Sequence, residues 1–209
     1  MKENPQTISE LHEGFTMAKW GQKELTEIYS FTNVFTRDEI NIIKKYCEQI
    51  EPADAQIGAD YDEYTVAESV RSSVVRWIPI NEDTKFIYDR LYDIVNIAND
   101  EMWGFDLTGF YEAAQYTEYY GTDEGHYDWH LDIGQEVDYR KISVTIQLSE
   151  PEEYDGGELQ MLLGPNISNA GKEMGLATVF PSYMLHRVSN VTRGVRKSLV
   201  IWVTGPSFR

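Results

Sequence analysis

Between His126 and Gln135 the chain reads His-Tyr-Asp-Trp-His-Leu-Asp-Ile-Gly-Gln, which holds two of its four histidines, each followed two positions later by an aspartate. In a β-strand residues i and i+2 share a face, so His126 with Asp128, or His130 with Asp132, can offer an imidazole and a carboxylate to one cation. A third ligand has few sources, because His12 and His186 are the other histidines. His186 lies in Phe180-Pro181-Ser182-Tyr183-Met184-Leu185-His186-Arg187-Val188, directly after an apolar stretch. Two imidazoles and one carboxylate with open positions form a facial triad suited to Fe(II). With 35 Asp plus Glu among 209 residues, an acid two places after a given histidine is about a one-in-six event, so one such pair needs company to count.

Two later segments supply that company. Ile142, Val144, Ile146 and Leu148 alternate with Ser143, Thr145 and Gln147, the period of a strand with one oily face and one polar face that can line a cavity. Further on, Val195, Lys197, Leu199, Ile201 and Val203 form one face and Arg196, Ser198, Val200, Trp202 and Thr204 the other. Apolar groups on both faces predict a strand buried on both sides, in which Arg196 needs an anionic partner. A planar guanidinium suits a bidentate carboxylate, and Ser198 on the same face can add a hydroxyl. A small dicarboxylate or an internal salt bridge would each satisfy it.

The elements that must position these residues divide the chain in two. Residues 1 to about 25 have weak periodicity and predict an arm or short helix on the surface. Thr36 and Glu39 have capping-box spacing, and Ile40, Ile42, Ile43 and Tyr46 recur at helical intervals toward Ile50. A second helical pattern covers Asp83 to Trp103, with Phe86, Ile87, Leu91, Ile94, Val95 and Ile97 along one side. Between them Gly58 to Ser69 is acidic and without period, which reads as a loop leading into a strand from Val70 to Ile80, and the 55–70 loop is the candidate gate. From residue 107 onward short β-type runs follow one another, predicting a β-barrel or sandwich. These runs are Phe110–Tyr120, Tyr127–Asp132, Ile142–Leu148, Glu158–Leu163, Ala177–Phe180, Leu185–Val188 and Val195–Thr204, with Asp155-Gly156-Gly157 as a turn.

Composition bounds the reading. The length suits one domain over 1–209, with 1–105 as helical support and first strands and 106–209 as the β core. The formal charge of -17 repels polyanions, which argues against a nucleic-acid substrate. The N-terminus lacks the apolar core of a signal peptide and no run of eighteen apolar residues occurs, so a soluble cytoplasmic protein without a membrane partner is expected. The single cysteine, Cys47, fits a reducing compartment and reads as structural.

From Gln115 to the C-terminus the chain resembles the 2-oxoglutarate- and Fe(II)-dependent oxygenases of the prolyl 4-hydroxylase superfamily, above all the PKHD-type hydroxylases of bacteria and their viruses. The resemblance is carried by the segments Tyr127 to Asp132, Lys141 to Ser149, Tyr154 to Leu159, Phe180 to Ser182, His186 to Val188, Val191 to Arg196 and Trp202, in the family's order and spacing. Weaker similarity reaches Arg71-Ser72-Ser73 and the 81–103 helix.

The resemblance implies an α+β, mainly β fold whose core is a double-stranded β-helix (jelly-roll, cupin-like) braced by N-terminal helices. It implies that His130, Asp132 and His186 are the catalytic metal ligands, and it places His126 and Asp128 at the rim. Arg196 would clamp the far carboxylate of 2-oxoglutarate, and Tyr119 falls where the family places a tyrosine on that cofactor. Tyr120 stays a competitor, because the 120–124 segment is longer than usual. Arg71 and Trp202 would stand on the substrate side. The implied cofactors are Fe(II) and 2-oxoglutarate with O2, and ascorbate as a candidate auxiliary. Asp132 argues against the halogenating relatives, which carry a small residue there. The implied activity is hydroxylation of an amino-acid side chain, first of all peptidyl proline in a peptide or protein substrate, with release of succinate and CO2. The competing readings are a non-catalytic β-helix module that binds a metal or carboxylate, and an oxygenase acting on a small, amino-acid-like molecule.

Overall fold

The computed structural model describes residues 28–53 and 70–208, together with the backbone of 16–20. All of the expected 55–70 gate but its last residue, and residues 1–15 and 21–25 of the expected arm, lie outside the described residues. In chain order the strands are β1 (Thr16–Trp20), β2 (Ile28–Thr32), β3 (Arg71–Ser72), β4 (Val74–Ile78), β5 (Ala114–Tyr120), β6 (His126–His130), β7 (Arg140–Gln147), β8 (Tyr154–Gly156), β9 (Leu159–Leu163), β10 (Asn166–Asn169), β11 (Ala177–Pro181), β12 (His186–Val188) and β13 (Val191–Thr204). The helices are α1 (Arg37–Cys47) and α2 (Lys85–Met102).

Local chemistry explains the helices. The Thr36 hydroxyl accepts from the Glu39 amide at 3.2 Å and the Glu39 carboxylate accepts from the Thr36 amide at 2.8 Å, so the capping box forms and satisfies two otherwise orphaned donors. Along α1, Ile40, Ile43 and Cys47 are buried at helical spacing. Burial pushes the Cys47 thiol up to about 12, which fits the structural part expected of it. In α2, Ile87, Leu91, Ile94, Val95 and Ala98 make the buried face.

Both helices share one core with the outer face of a large antiparallel sheet ordered β1-β2-β11-β7-β13-β5-β4, with β8 paired to β13. Ile142, Val144 and Ile146 of β7 and Leu199, Ile201 and Val203 of β13 point into that core. The polar alternates Ser143, Thr145, Arg196 and Ser198 are therefore on the inner face, as the two-faced strand patterns require. The inner face looks toward a second sheet ordered β10-β9-β12-β6-β3. A smaller core that includes Tyr119, Tyr154, Leu159, Met161, Phe180 and Val188 joins the two. The expected double-stranded β-helix braced by helices is the observed architecture.

Three expectations change in detail. Thr16–Trp20 is a strand paired with Ile28–Thr32, not an arm or helix. Its partner is buried on both faces, so it shows no alternation to read. The expected 70–80 strand is two pieces, β3 in the small sheet and β4 in the large one. Asp155 and Gly156 of the expected turn belong to β8, with Gly156 (φ 74°) and Gly157 (φ 62°) in the left-handed region, and a Cβ at Gly156 would stand 2.1 Å from the Asn190 carbonyl oxygen, so no side chain fits. Among the described residues no helix is long and apolar enough to cross a membrane.

Candidate metal centre and cofactor pocket

Strand β6 carries an irregularity that decides which histidine enters the interior. Against β12, His130 pairs with His186 while Val188 pairs with Tyr127, so β6 holds one extra residue between Tyr127 and His130. Strict alternation would place His130 on the face of His126 and Asp128. The bulge turns it instead onto the face of Tyr127. His130 and Tyr127 then stack with ring centroids 3.5 Å apart and planes 14° from parallel. Asp128 is exposed, and the His126 Nδ1 lies 2.9 Å from the Glu124 carbonyl.

Asp132 lies beyond the end of β6, not within the strand expected over 127–132. Its amide donates to the Ser182 carbonyl at 3.0 Å. Its carboxylate accepts from the Ser143 hydroxyl at 2.6 Å, and that hydroxyl is 3.0 Å from the one of Ser182. His186, from β12, completes the group: its Nε2 is 3.5 Å from Asp132 Oδ2, and the Nε2 of His130 is 3.7 Å from Asp132 Oδ1. Both separations exceed a good hydrogen bond. One candidate ligand atom from each residue lies within 4.8 Å of the others. Two ligands about 2.1 Å from one ion at a right angle stand roughly 3 Å apart, so the three groups are spaced to share a cation.

The protonation states agree with that use. The Nδ1 of His130 is 2.7 Å from the Asp128 carbonyl and the Nδ1 of His186 is 2.8 Å from the Met184 carbonyl. A carbonyl can only accept, so each Nδ1 carries a proton, and Nε2 is the ring nitrogen left facing Asp132 for a metal to take. Burial, reinforced by His186, pushes His130 down to about 3, which keeps it neutral. Burial opposes ionisation of Asp132, but His186, His130, the Ser143 hydroxyl and Arg140 outweigh it and hold the carboxyl below its ordinary range. Two neutral imidazoles and a carboxylate are the protonation states in which a divalent metal binds.

An open cavity of about 1240 Å³ contains these groups and is also lined by Arg71, Tyr119, Arg196, Ser198 and Trp202. Arg196 is 1% exposed, its Nη1 donates to the Ser198 hydroxyl at 3.3 Å, the Tyr154 hydroxyl is a near neighbour, and among the described residues no well-formed hydrogen bond reaches its Nε or Nη2. The internal salt bridge that would have satisfied it is not found among the described residues. Tyr119 is the cross-strand neighbour of Arg196, whose guanidinium carbon is 5.4 Å from the tyrosine ring centre. Tyr120 follows on the opposite side of β5, beside Glu118. Arg71 donates to Ser73 at 2.8 Å and to Gln115 at 2.9 Å, and covers the Tyr127 ring at 4.7 Å. Trp202 lies under Arg140, whose guanidinium carbon is 3.8 Å from its ring centre, and Arg140 is held by both oxygens of Glu112 at 2.6 and 2.8 Å.

Residues 114–204 match the 2OG-Fe(II) oxygenase superfamily. That stretch, a little under half of the chain, is similar to the superfamily. A PKHD-type hydroxylase of Shewanella frigidimarina is 38% identical over 95 residues, 42% of this chain and 41% of the relative. One of Pseudomonas fluorescens is 27% identical over 180 residues, 81% of this chain and 74% of the relative. The alignment with the Shewanella protein thus spans about two fifths of that protein's length. A prolyl-4-hydroxylase of Pseudomonas putida superposes with a TM-score of 0.66 at 21% identity, over 86% of this chain and 93% of the other. A prolyl hydroxylase of Trichoplax adhaerens, solved with a fragment of a hypoxia-inducible factor, does so with a TM-score of 0.68 at 15% identity, over 94% of this chain and 86% of the other. The cofactors of that superfamily are Fe(II) and 2-oxoglutarate; the donor set of His130, Asp132 and His186 fits the first, and the buried guanidinium of Arg196 fits the second. Sequence reasoning missed the groups that hold these residues: Ser143 and Ser182 behind Asp132, Gln115 behind Arg71, and Tyr127 against His130. Ser143 alone had a signal, its place on the polar face of a two-faced strand.

Proposed function

We propose that the chain is an Fe(II)- and 2-oxoglutarate-dependent dioxygenase that hydroxylates an amino-acid side chain, in the first place peptidyl proline, and releases succinate and CO2. One observation carries the reading: a fully buried guanidinium with two unpartnered donor nitrogens lines the same cavity as two imidazoles and a carboxylate spaced for one ion. Leaving a buried cation unpaired costs several kcal/mol, so the fold is organised around an anion that arrives with the cofactor. The bound metal with its keto acid supplies O2 activation, chemistry that no side chain provides.

The protein's own part is positioning. His130 and His186 present Nε2 while their Nδ1 protons stay on the Asp128 and Met184 carbonyls, and Ser143 orients the Asp132 carboxylate. Arg196 takes the far carboxylate of 2-oxoglutarate through its free donors, with Ser198 and Tyr119 as hydroxyl partners, and so turns the keto-acid end toward the metal ligands. Arg71 and Trp202 line the same cavity, and in this reading they face the substrate. A polypeptide substrate is supported by the cavity volume of about 1240 Å³, far more than a small keto acid fills. It is supported as well by relatives named as prolyl hydroxylases, one of them holding a peptide fragment. A free buried thiol and no disulfide are consistent with action in the cytoplasm.

The test has two arms. Anaerobic Fe(II) plus 2-oxoglutarate should give a weak visible charge-transfer band that disappears in His130→Ala, Asp132→Ala and His186→Ala and persists in His126→Ala. A band unchanged in the first three overturns the ligand assignment. Succinate release over proline-containing peptides, free amino acids and nucleotides should be stimulated by the peptides. Stimulation by free amino acids alone would replace the peptide reading with a small-molecule one, and no turnover with any class would favour a binding module.

A further inference from the structure

The stack beneath His130 has a geometry that two neutral aromatic rings do not choose. Aromatic pairs prefer offset or edge-to-face contacts, with centroids roughly 4.5–7 Å apart, because face-to-face overlap sets like charge against like. Tyr127 and His130 instead overlap at 3.5 Å with planes 14° from parallel. Such overlap becomes attractive when one ring is electron-poor, and an imidazole whose Nε2 donates to a divalent cation is electron-poor. We propose that Tyr127 is a positioning residue for the metal centre: its electron-rich face supports the metal-bound form of the His130 imidazole and fixes the plane in which Nε2 meets the ion. The proposal rests on the metal-site reading above.

The surroundings are built for this. Tyr127 and His130 share a face only because of the extra residue in β6, since residues three apart otherwise point to opposite sides. The far side of the Tyr127 ring is covered by the Arg71 guanidinium at 4.7 Å. Arg71 reaches that place because β3 pairs with β6 in the register Arg71↔Tyr127, and it is pinned there by Ser73 and Gln115. His186 also packs against His130, with ring centroids 4.2 Å apart and planes tilted by 54°. With Nδ1 tied to the Asp128 carbonyl and two rings packed against it, the plane of His130 is restrained. Groups outside a metal's own ligands that orient those ligands typically change affinity by about 10–100-fold when removed.

The probe is Co(II) alone, titrated into the metal-free protein and followed by its visible absorption, with no cofactor or substrate. Tyr127→Phe should bind within about threefold of the parent, because the ring face remains. Tyr127→Leu should bind on the order of tenfold or more weakly, with a changed Co(II) spectrum and a metal-free melting temperature that does not account for the loss. Pentafluorophenylalanine at position 127 keeps the shape and inverts the ring's charge distribution, so it should weaken Co(II) binding as Tyr127→Leu does, and it decides the matter even if the leucine variant does not fold. Equal affinity for the fluorinated and the Phe variants overturns the proposal. A Phe variant as weak as the Leu variant overturns it too, since the hydroxyl would then be the active part. Failure of the parent protein to bind Co(II) would instead sink the metal-site reading itself.

Discussion

Arg196 differs from Arg76 and Arg140 in what surrounds it. Arg76 is paired with Glu118 and Arg140 with Glu112, whereas Arg196, at 1% exposure, meets the Ser198 hydroxyl and the Tyr119 ring. An unpaired buried guanidinium weakens the apo fold and strengthens the grip on a diacid, so the two effects of removing it have opposite sign. Arg196→Met should raise the apo protein's unfolding free energy by about 1–3 kcal/mol in thermal or denaturant unfolding. The same change should raise the 2-oxoglutarate concentration for half-saturation on the order of 100-fold, the loss of about 3 kcal/mol of charge-assisted bonding, and leave the Fe(II) requirement unchanged. A destabilised apo variant would mark a structural arginine. Ser143 acts one step behind the ligands, through its 2.6 Å bond to Asp132. Ser143→Ala should weaken Co(II) binding about 10-fold or more without moving 2-oxoglutarate affinity at saturating metal.

At the scale of elements, α1 and its capping box pack on the outer face of the large sheet, away from the cavity. Thr36→Ala removes one orphan-donor partner and should cost about 1 kcal/mol in equilibrium unfolding, with metal affinity untouched. A matching loss of metal binding would mean that the helix layer transmits strain through the sheet. This cap was legible because it is local: Thr36, Glu39 and the isoleucines that follow lie within one helix. The two-faced strands β7 and β13 were legible for a similar reason, since alternation is written into one stretch of chain. Strand β2 was not, because a strand buried on both faces has no polar alternate to mark it. The bulge in β6 was hidden for a deeper reason. It is a property of the pairing between β6 and β12, and period-two reading of His126, Asp128 and His130 places all three on one face. The resemblance to known oxygenases points to the histidine that the structure brings beside Asp132 and His186, while the physical cause of that placement, one unmatched residue between Tyr127 and His130, appears only when two distant strands are laid side by side. Ser182 and Gln115 behave likewise, since each matters through a partner 39 or 44 residues away.

For the whole molecule, acidification sets two effects against each other. The chain carries a formal charge of -17, so protonating surface carboxylates relieves self-repulsion and favours the compact state. The buried centre responds in the other direction. His130 ionises near 3 in the fold and near its ordinary value of 6.5 when unfolded, so between those limits the unfolded chain binds more protons and stability falls as pH falls. Its contribution is complete above about pH 6.5 and drains away toward pH 3. Asp132, also held below its ordinary range, loses its contribution as pH falls through its folded value, adding to the same slope at the acid end. The two opposing effects separate by ionic strength, because repulsion between exposed charges is screened over about 8 Å at physiological salt while a buried imidazole is not. The apo protein should therefore be compared with His130→Gln in high salt between pH 7 and pH 4. The stability advantage of the parent over the variant should shrink by about 1–3 kcal/mol across that range. A parent-minus-variant difference that is flat or grows on acidification would mean that His130 can take up a proton without leaving the interior, and the neutral imidazole inferred for metal binding would have to be abandoned.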